Sequence, residues 1–149
     1  MEKSVRLVRL IALPIDLQSL AFLDDWSGDL KGGATVKFLG TVRQWNQGKQ
    51  VLEIYYEAYI EMAEPQLNDI VEEAFQKWPL LKCAVIHRTG RLTLGEVAVA
   101  IYVTSVHRKE AFNATQYIID ELKKRVPIWK KEIYENGEEW LGSHCHHSS

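Results

Sequence analysis

Residues 108–132 read RKEAFNATQYIIDELKKRVPIWKKE, and the fold of the whole chain depends on this stretch. Apolar residues recur in it at helical spacing, which predicts an amphipathic helix over residues 108–124. The residue before a proline disfavours the α region, so Val126 and Pro127 should end the helix, and residues 128–134 form the next strand. The stretch therefore predicts a sharp passage from a long core helix into a strand.

The rest of the chain divides into strands and helices by the same two periodicities. A second long helix is predicted for residues 62–78, and a short one runs to Trp26 with Asp16 as its N-cap. Further strands are predicted at residues 5–13, 34–43, 51–59, 81–88 and 96–105. Because strands occur in adjacent pairs, we expect an α+β domain with antiparallel strands and two long helices, rather than a doubly wound parallel sheet. The polar residues 44–50 are interpreted as a flexible, exposed loop between paired strands.

Length and composition bound the class of protein. The chain has 149 residues, of which 46% are hydrophobic, so we expect one soluble domain over residues 1–141 and a flexible tail over residues 142–149. A net charge of −2 argues against nonspecific binding of nucleic acid, which needs an excess of Lys and Arg. Any anion must therefore be bound by a local cluster of cations.

Two further features favour a cytoplasmic protein that does not cross a membrane. Cys83 lies in an apolar run and Cys145 in the tail, so the two do not suggest a disulfide framework. No segment approaches the roughly 20 apolar residues that span a bilayer.

The densest charge in the chain surrounds the predicted helix end. Five cations fall within nine positions: Lys123, Lys124, Arg125, Lys130 and Lys131. One interpretation is a solvated surface, because cations at a helix C-terminus complement the helix dipole. The other is a cleft that Lys123 and Lys130 both face, in which a crowded lysine has a lowered pKa and can act as an acid, a base or a nucleophile.

Other cations stand at the ends of predicted elements. His107 and Arg108 begin the last long helix, where an anion can bind, although His107 can instead cap the helix while Arg108 pairs with a nearby acid. Arg43 ends a strand before a loop, a common position for a binding arginine. The pair His87 and Arg88 at another strand end is more often structural than a second anion site.

The tail residues 144–147, HCHH, contain soft metal ligands. Four adjacent ligands at an unstructured end cannot preorganise a tetrahedral site, so we predict no metal and no cofactor. The patterns of dinucleotide, nucleoside triphosphate, zinc-protease and serine-hydrolase sites do not occur.

Five separated motifs carry a resemblance to a known family. They are Gly33-Ala34 with FLGTVR at 38–43, YEAY at 56–59 with Met62-Ala63, HRTGRL at 87–92 with Gly95-Glu96, SVHR at 105–108 with Ala111-Phe112, and PIWKKE at 127–132. On these residues the chain resembles the large, catalytic subunits of molybdopterin synthase over about residues 33–140.

The resemblance implies an α/β hammerhead fold and a homodimer that binds two small, ubiquitin-like sulfur-carrier subunits to form a heterotetramer. The C-terminal glycine thiocarboxylate of the carrier is then expected to enter a pocket of this chain. The implied reaction is a sulfurtransferase reaction. Two sulfur transfers convert cyclic pyranopterin monophosphate into the dithiolene of molybdopterin, with opening of the cyclic phosphate.

The resemblance also implies roles for particular residues. Lys123 and Lys130 match the active-site lysines of the family, and Phe38 is expected to form part of the pocket wall. The residues expected to hold the substrate are Arg43, His107 and Arg108. As a hypothesis, Lys123 stabilises the oxyanion at the thiocarboxylate carbonyl, and Lys130 orients the pterin and relays protons.

Two functions of other classes remain open from the residues themselves. A non-catalytic scaffold can use the same cations to bind a ubiquitin-like tail, and it would form no pterin product. A Schiff-base enzyme would form a covalent adduct at Lys123 or Lys130 that borohydride traps.

Overall fold

The computed structural model describes residues 5–141 of the chain, which form nine strands and three helices. In chain order these are β1 (Arg6–Ile11), α1 (Leu17–Trp26), β2 (Ala34–Thr41), β3 (Trp45–Asn46), β4 (Lys49–Ala58), α2 (Ile60–Lys77), β5 (Leu80–Arg88), β6 (Gly90–Thr93), β7 (Val97–Ser105), α3 (Arg108–Arg125), β8 (Ile128–Tyr134) and β9 (Gly137–Leu141). The α+β class and the two long helices are as predicted. None of the helices in this part of the chain is long and apolar enough to span a membrane.

The first sheet has four strands in the order β1-β5-β7-β2. β7 pairs antiparallel with β5 and with β2, in agreement with the antiparallel strands that the sequence predicts. β1 instead pairs parallel with β5, with Arg6 opposite Cys83. This parallel pair is possible because a long connection containing two helices separates the two strands.

The second sheet is built around β4, which pairs antiparallel with both β6 and β8, and β9 continues the sheet beside β8. The prediction that residues 44–50 form a loop between paired strands is wrong, although all of these residues except Asn46 are exposed as predicted. β3 pairs with β4 through a tight hairpin in which Gln47 and Gly48 both have positive φ, 51° and 79°, and Asn46 is buried. β2 and β4 are likewise not paired, since they belong to different sheets.

The two central strands of the first sheet, β5 and β7, bury both of their faces. Alternate side chains such as Val85 and Ile101 pack on one face against α2 and α3, while their neighbours Ala84 and Tyr102 pack on the other face against α1. Such near-continuous apolar runs are typical of strands covered on both sides. A smaller apolar cluster around Leu92 underlies the second sheet.

The end of α3 is the passage that the sequence predicts. Val126 leaves the helical conformation, is fully buried, and still donates its backbone N–H to Leu122. Pro127 follows, and its carbonyl accepts a hydrogen bond from the N–H of Tyr59. The first residue of β8, Ile128, is again buried. The connection between α3 and β8 is therefore only two residues long and well packed, which fixes the last helical turn relative to the strand.

A salt bridge fixes the same helix end from the other side. Arg125 donates to Glu73 of α2 through Nη1 at 2.7 Å and Nη2 at 2.9 Å, and the hydroxyl of Tyr117 donates to Glu73 at 2.6 Å. These hydrogen bonds, first that from Arg125 and then that from Tyr117, lower the pKa of Glu73 to about 2. Bidentate geometry makes this pair stronger than a typical surface ion pair.

The salt bridge between Arg125 and Glu73 predicts that the stability of the protein depends on pH. Glu73→Gln should lower the free energy of unfolding at pH 7 by about 1 kcal/mol, a modest value because both side chains remain about a third exposed. Because the pKa of Glu73 is lowered, its contribution to the free energy of unfolding is fully present at pH values above the ordinary carboxyl pKa of 4.5. This contribution is lost as the pH falls toward about 2. Urea unfolding between pH 2 and pH 7 measures the difference, with Asp69→Asn on the same helix as the control. A deficit that does not change with pH would contradict the assignment.

Candidate active site

A cavity of about 310 Å³ is lined by residues of both sheets and of α3. Its volume lies at the lower end of the range of small-molecule sites. Apolar side chains such as Ile54, Val99 and Leu122 form part of the wall. The polar and charged side chains that line it are Thr41, Arg43, Asn46, Tyr56, His87, Lys123, Lys130 and Glu132.

Three of the cations singled out in the sequence line this cavity, each from a different element. Arg43 follows β2, Lys123 lies in the last turn of α3, and Lys130 lies on β8. The passage through Pro127 thus brings Lys123 and Lys130 to one cleft, which is the second of the two interpretations of this cluster, and Phe38 lines the same cavity. The catalytic and binding roles of these residues stay predictions.

Lys123 is in an environment that disfavours its charged form. Partial desolvation at the cavity wall, then the positive charges of Lys130 and Arg43, lower the pKa of Lys123, and Asp120 acts in the opposite direction. A lysine with a lowered pKa exchanges a proton more readily near neutral pH than an ordinary surface lysine does. The cavity therefore has a positive potential and contains an amine suited to acid–base chemistry.

The carboxylate of Glu132 compensates the cations. Glu132 is only 1% exposed, and its Oε2 lies 3.2 Å from Nζ of Lys130. Asn46 donates through Nδ2 to Oε1 at 2.8 Å and to Oε2 at 3.0 Å, and the hydroxyl of Tyr134 donates to Oε1 at 2.5 Å. Burial alone would raise the pKa of Glu132, but these hydrogen bonds and the charge of Lys130 outweigh it, so the pKa is lowered and the carboxyl is ionised.

Asn46 connects this carboxylate to the third cation. Its Oδ1 accepts a hydrogen bond from Nη2 of Arg43 at 3.2 Å, while its Nδ2 donates to Glu132. The chain of contacts Arg43–Asn46–Glu132–Lys130 therefore fixes two cations of the cavity relative to each other. Sequence reasoning missed Asn46, because nothing but the short Gln47-Gly48 turn signal distinguishes this hairpin from a polar loop.

A different part of the wall is aromatic and uncharged. His87 is 5% exposed and contacts Tyr56 edge to face, with ring centroids 5.1 Å apart. Burial, and to a lesser degree the charge of Glu132, raises the pKa of Tyr56 to about 12, so its hydroxyl keeps its proton. The sequence favoured a structural role for His87, and only the structure shows that this side chain lines the cavity.

The other two predicted substrate residues lie elsewhere. His107 precedes α3 and Arg108 begins it, and both are exposed. Fifteen residues of helix separate Arg108 from Lys123, which is about 22 Å at 1.5 Å per residue. The side chain of His107 does not cap the helix, and within residues 5–141 no ion pair joins Arg108 to Glu110 or Glu57. One chain therefore cannot bring both groups of residues to one small ligand.

The tail residues 144–147, for which the sequence predicts no metal site, lie outside the described residues. Between residues 5 and 141, no three His, Cys, Asp or Glu side chains are grouped so that they could hold a metal ion.

The buried network around Asn46 predicts a cost in stability. Asn46→Ala removes two hydrogen bonds from the buried carboxylate of Glu132, so the free energy of unfolding should fall by about 1–3 kcal/mol. Asn113→Ala makes the same chemical change at an exposed position of α3 and should have little effect. Equal unfolding free energies for the two variants in urea would show that Asn46 does not hold Glu132.

Comparison with known proteins identifies the family of this chain. The family described as MoaE protein matches residues 11–125 of the chain. The molybdopterin synthase catalytic subunit of Bacillus subtilis (strain 168) is 48% identical over 112 residues, which are 75% of this chain and 71% of the relative. That of Staphylococcus carnosus (strain TM300) is 48% identical over 110 residues, 74% of this chain and 73% of the relative.

Solved structures show the same fold. The crystal structure of molybdopterin synthase from Staphylococcus aureus is 40% identical, with a TM-score of 0.81 over 89% of this chain and 95% of that chain. A complex of subunits 1 and 2 of molybdopterin-converting factor from Helicobacter pylori is 19% identical, with a TM-score of 0.72 over 96% of this chain and 94% of that chain, a likeness of fold alone. On the family match and these identities, this chain belongs to the MoaE protein family, to which molybdopterin synthase catalytic subunits belong.

Proposed function

We propose that this chain is the catalytic subunit of a molybdopterin synthase. In this proposal it transfers sulfur from the C-terminal thiocarboxylate of a small ubiquitin-like carrier subunit to cyclic pyranopterin monophosphate. The observation that carries the proposal is the convergence of Arg43, Lys123 and Lys130 on one cavity, in a chain of the family to which the named catalytic subunits belong. The reaction class is that of a sulfurtransferase.

The chemistry of the two ligands fits such a cavity. A thiocarboxylate and a cyclic phosphate diester each carry one negative charge at neutral pH, so bringing them together requires cations that offset their repulsion. Glu132 already neutralises part of the charge of Lys130, while Arg43 and Lys123 add two further cations. The site thus holds more positive than negative charge until both anions are bound.

Lys123 is assigned to the acyl carbon of the carrier. In the first step the thiocarboxylate sulfur bonds to a carbon of the pterin substrate as the cyclic phosphate opens, which gives a thioester between carrier and pterin. Water then attacks the acyl carbon of this thioester and converts its carbonyl oxygen into an oxyanion. Collapse of this intermediate breaks the acyl C–S bond, so the sulfur stays on the pterin and the carrier leaves as a carboxylate. A positive group placed at that oxygen stabilises the transition state more than the ground state. The lowered pKa of Lys123 also lets the same amine donate a proton as the intermediate collapses.

Lys130 is assigned to the pterin. Its ammonium is held by the buried carboxylate of Glu132, so its position on β8 is fixed before a ligand arrives. A preorganised cation orients a bound anion without the entropic cost of ordering a free side chain. The Lys130–Glu132 pair can also pass a proton to or from the substrate, which is the relay assigned to Lys130.

The assembly we propose is a homodimer with one carrier on each chain, a heterotetramer. His107 and Arg108 lie about 22 Å from Lys123 along α3, so they can reach a substrate only if a second copy places the start of its α3 beside the cavity. A twofold arrangement supplies this contact twice. The complex of two subunits from Helicobacter pylori, which has the same fold, supports a carrier partner.

A cytoplasmic location is part of the proposal. Cys83 is a buried free thiol, which fits a reducing compartment, and no helix in residues 5–141 can span a membrane.

The first test is an assay of the purified chain with a thiocarboxylated carrier and cyclic pyranopterin monophosphate. Product is measured by the fluorescence of its oxidised derivative. Lys123→Ala should lower the rate by about 100- to 1000-fold, the usual effect of removing an oxyanion stabiliser. Lys124→Ala is the matched control, because Lys124 is exposed, pairs with Glu121 and does not line the cavity.

The outcomes separate the functions. Full turnover by Lys123→Ala would contradict the role of Lys123. No product from the unaltered chain, despite a tight complex with the carrier, would indicate the scaffold, and a borohydride-trapped lysine adduct would indicate the Schiff-base enzyme.

The proposed dimer predicts complementation. Lys123→Ala and Arg108→Ala should each be inactive alone, but dimers that contain one chain of each kind have one site with both wild-type residues. After random mixing, half of the dimers are mixed and each has one active site of two, so about a quarter of the wild-type activity should return. The two chains are denatured together, refolded and assayed. No recovery, with mixed dimers demonstrated by mass spectrometry, would show that Arg108 does not serve the partner's site.

A further inference from the structure

The uncharged wall of the cavity contains a group that the proposed sulfur transfer does not use. His87 lies near the end of β5, lines the cavity, and is held edge to face against Tyr56 at an interplanar angle of 80°. The ring is 5% exposed, and the strand on which it lies is buried on both sides. Its orientation is therefore fixed by packing, as is usual for residues that position a ligand.

The hydrogen bonding of the ring determines which nitrogen carries the proton. Nδ1 of His87 lies 2.7 Å from the backbone carbonyl oxygen of Arg88, and a carbonyl oxygen only accepts hydrogen bonds. Nδ1 is therefore the donor, and in a neutral imidazole Nε2 is then an acceptor. Within residues 5–141, this is the only hydrogen bond of the ring.

The ring is neutral under physiological conditions. Burial lowers the pKa of His87 to about 4, the Arg88 carbonyl acts against this, and the charge of Lys123 lowers the pKa further. A neutral ring keeps the Nε2 lone pair available. Protonation would instead add another cation to a cavity that already contains Arg43, Lys123 and Lys130.

The carboxylate and the amide oxygen beside the cations are already engaged within the protein. Both oxygens of Glu132 accept hydrogen bonds from Asn46, and Oδ1 of Asn46 accepts one from Arg43. Lysine and arginine side chains only donate, so they bind the anionic parts of a ligand and leave its N–H groups without partners. An N–H group that enters a cavity and finds no acceptor costs free energy. Nε2 of His87 supplies an acceptor in another part of the wall.

We propose that His87 positions the substrate by accepting a hydrogen bond at Nε2 from a ring N–H or amino group of the substrate's nitrogen heterocycle. Arg43, Lys123 and Lys130 bind the anionic groups. This inference rests on the proposed function, because a reduced pterin is such a heterocycle. His87 then determines specificity: a cyclic phosphate without N–H donors binds to the cations alone. A site built to pair with a donor rejects analogues that lack the donor.

Two substitutions at one position test this role. His87→Phe keeps a ring against Tyr56 but has no acceptor, and it should raise KM for cyclic pyranopterin monophosphate by about 10- to 100-fold. KM for the thiocarboxylated carrier should not change. His87→Gln, whose Oε1 can take the place of Nε2, should recover most of the affinity for the pterin. Thermal unfolding and carrier binding of each variant establish that it is folded.

Binding of a second ligand shows whether His87→Phe loses a hydrogen bond or distorts the cavity. A cyclic phosphodiester of a plain sugar, without a nitrogen ring, should inhibit the wild type and His87→Phe with the same inhibition constant. An unchanged KM for the pterin in His87→Phe, or a loss in His87→Gln as large as in His87→Phe, would overturn the proposal. The proposal would also be overturned if His87→Phe bound the pterin and the sugar phosphodiester more weakly by the same factor. If the wild type forms no product, the proposed function fails, and calorimetric binding of the pterin to wild type and His87→Phe still decides the role of His87.

Discussion

The cavity depends on one buried carboxylate. Cations that share a small volume repel one another, and each loses hydration when it is buried, so a site of this kind needs an anion inside the fold. Glu132 supplies it at 1% exposure, with Lys130, Asn46 and Tyr134 as its partners. Because the carboxylate accepts four contacts that arrive from different directions, it also sets the spacing between β8 and the β3–β4 hairpin. Electrostatic balance and geometry are therefore properties of the same group.

Much of the fold could be predicted from the sequence because its long elements have strong periodicity. The three helices and the strands β5, β7 and β8 lie within a few residues of their predicted bounds. β3, β6 and β9 were missed, because strands of two, four and five residues are too short to show alternation clearly. The division into two sheets and the parallel pairing of β1 with β5 also lay beyond prediction, since the partner of a strand is chosen by tertiary packing.

In the site, too, only the residues placed by local sequence could be predicted, and those placed by tertiary packing could not. Lys123 and Lys130 could be placed in one cleft from sequence, because a proline three residues before Lys130 forces helix and strand together. Asn46 and His87 could not. The role of Asn46 depends on Glu132, which is 86 positions away in the sequence. The role of His87 depends on which face of a strand buried on both sides meets the cavity. Periodicity does not distinguish the two faces of such a strand.

The contact between Asn46 and Glu132 has a consequence for the order in which the protein acquires its chemistry during synthesis. The hairpin that contains Asn46 leaves the ribosome early, but the carboxylate that organises it belongs to β8, near the C-terminal end of the described chain. Until residue 132 has emerged and β8 has paired with β4, the cavity lacks one wall, and Arg43 and Lys123 have no common boundary. Domains fold as units, so ligand binding in the cavity begins only after β8 has emerged and paired. A nascent chain without β8 thus has no complete cavity in which to bind a ligand.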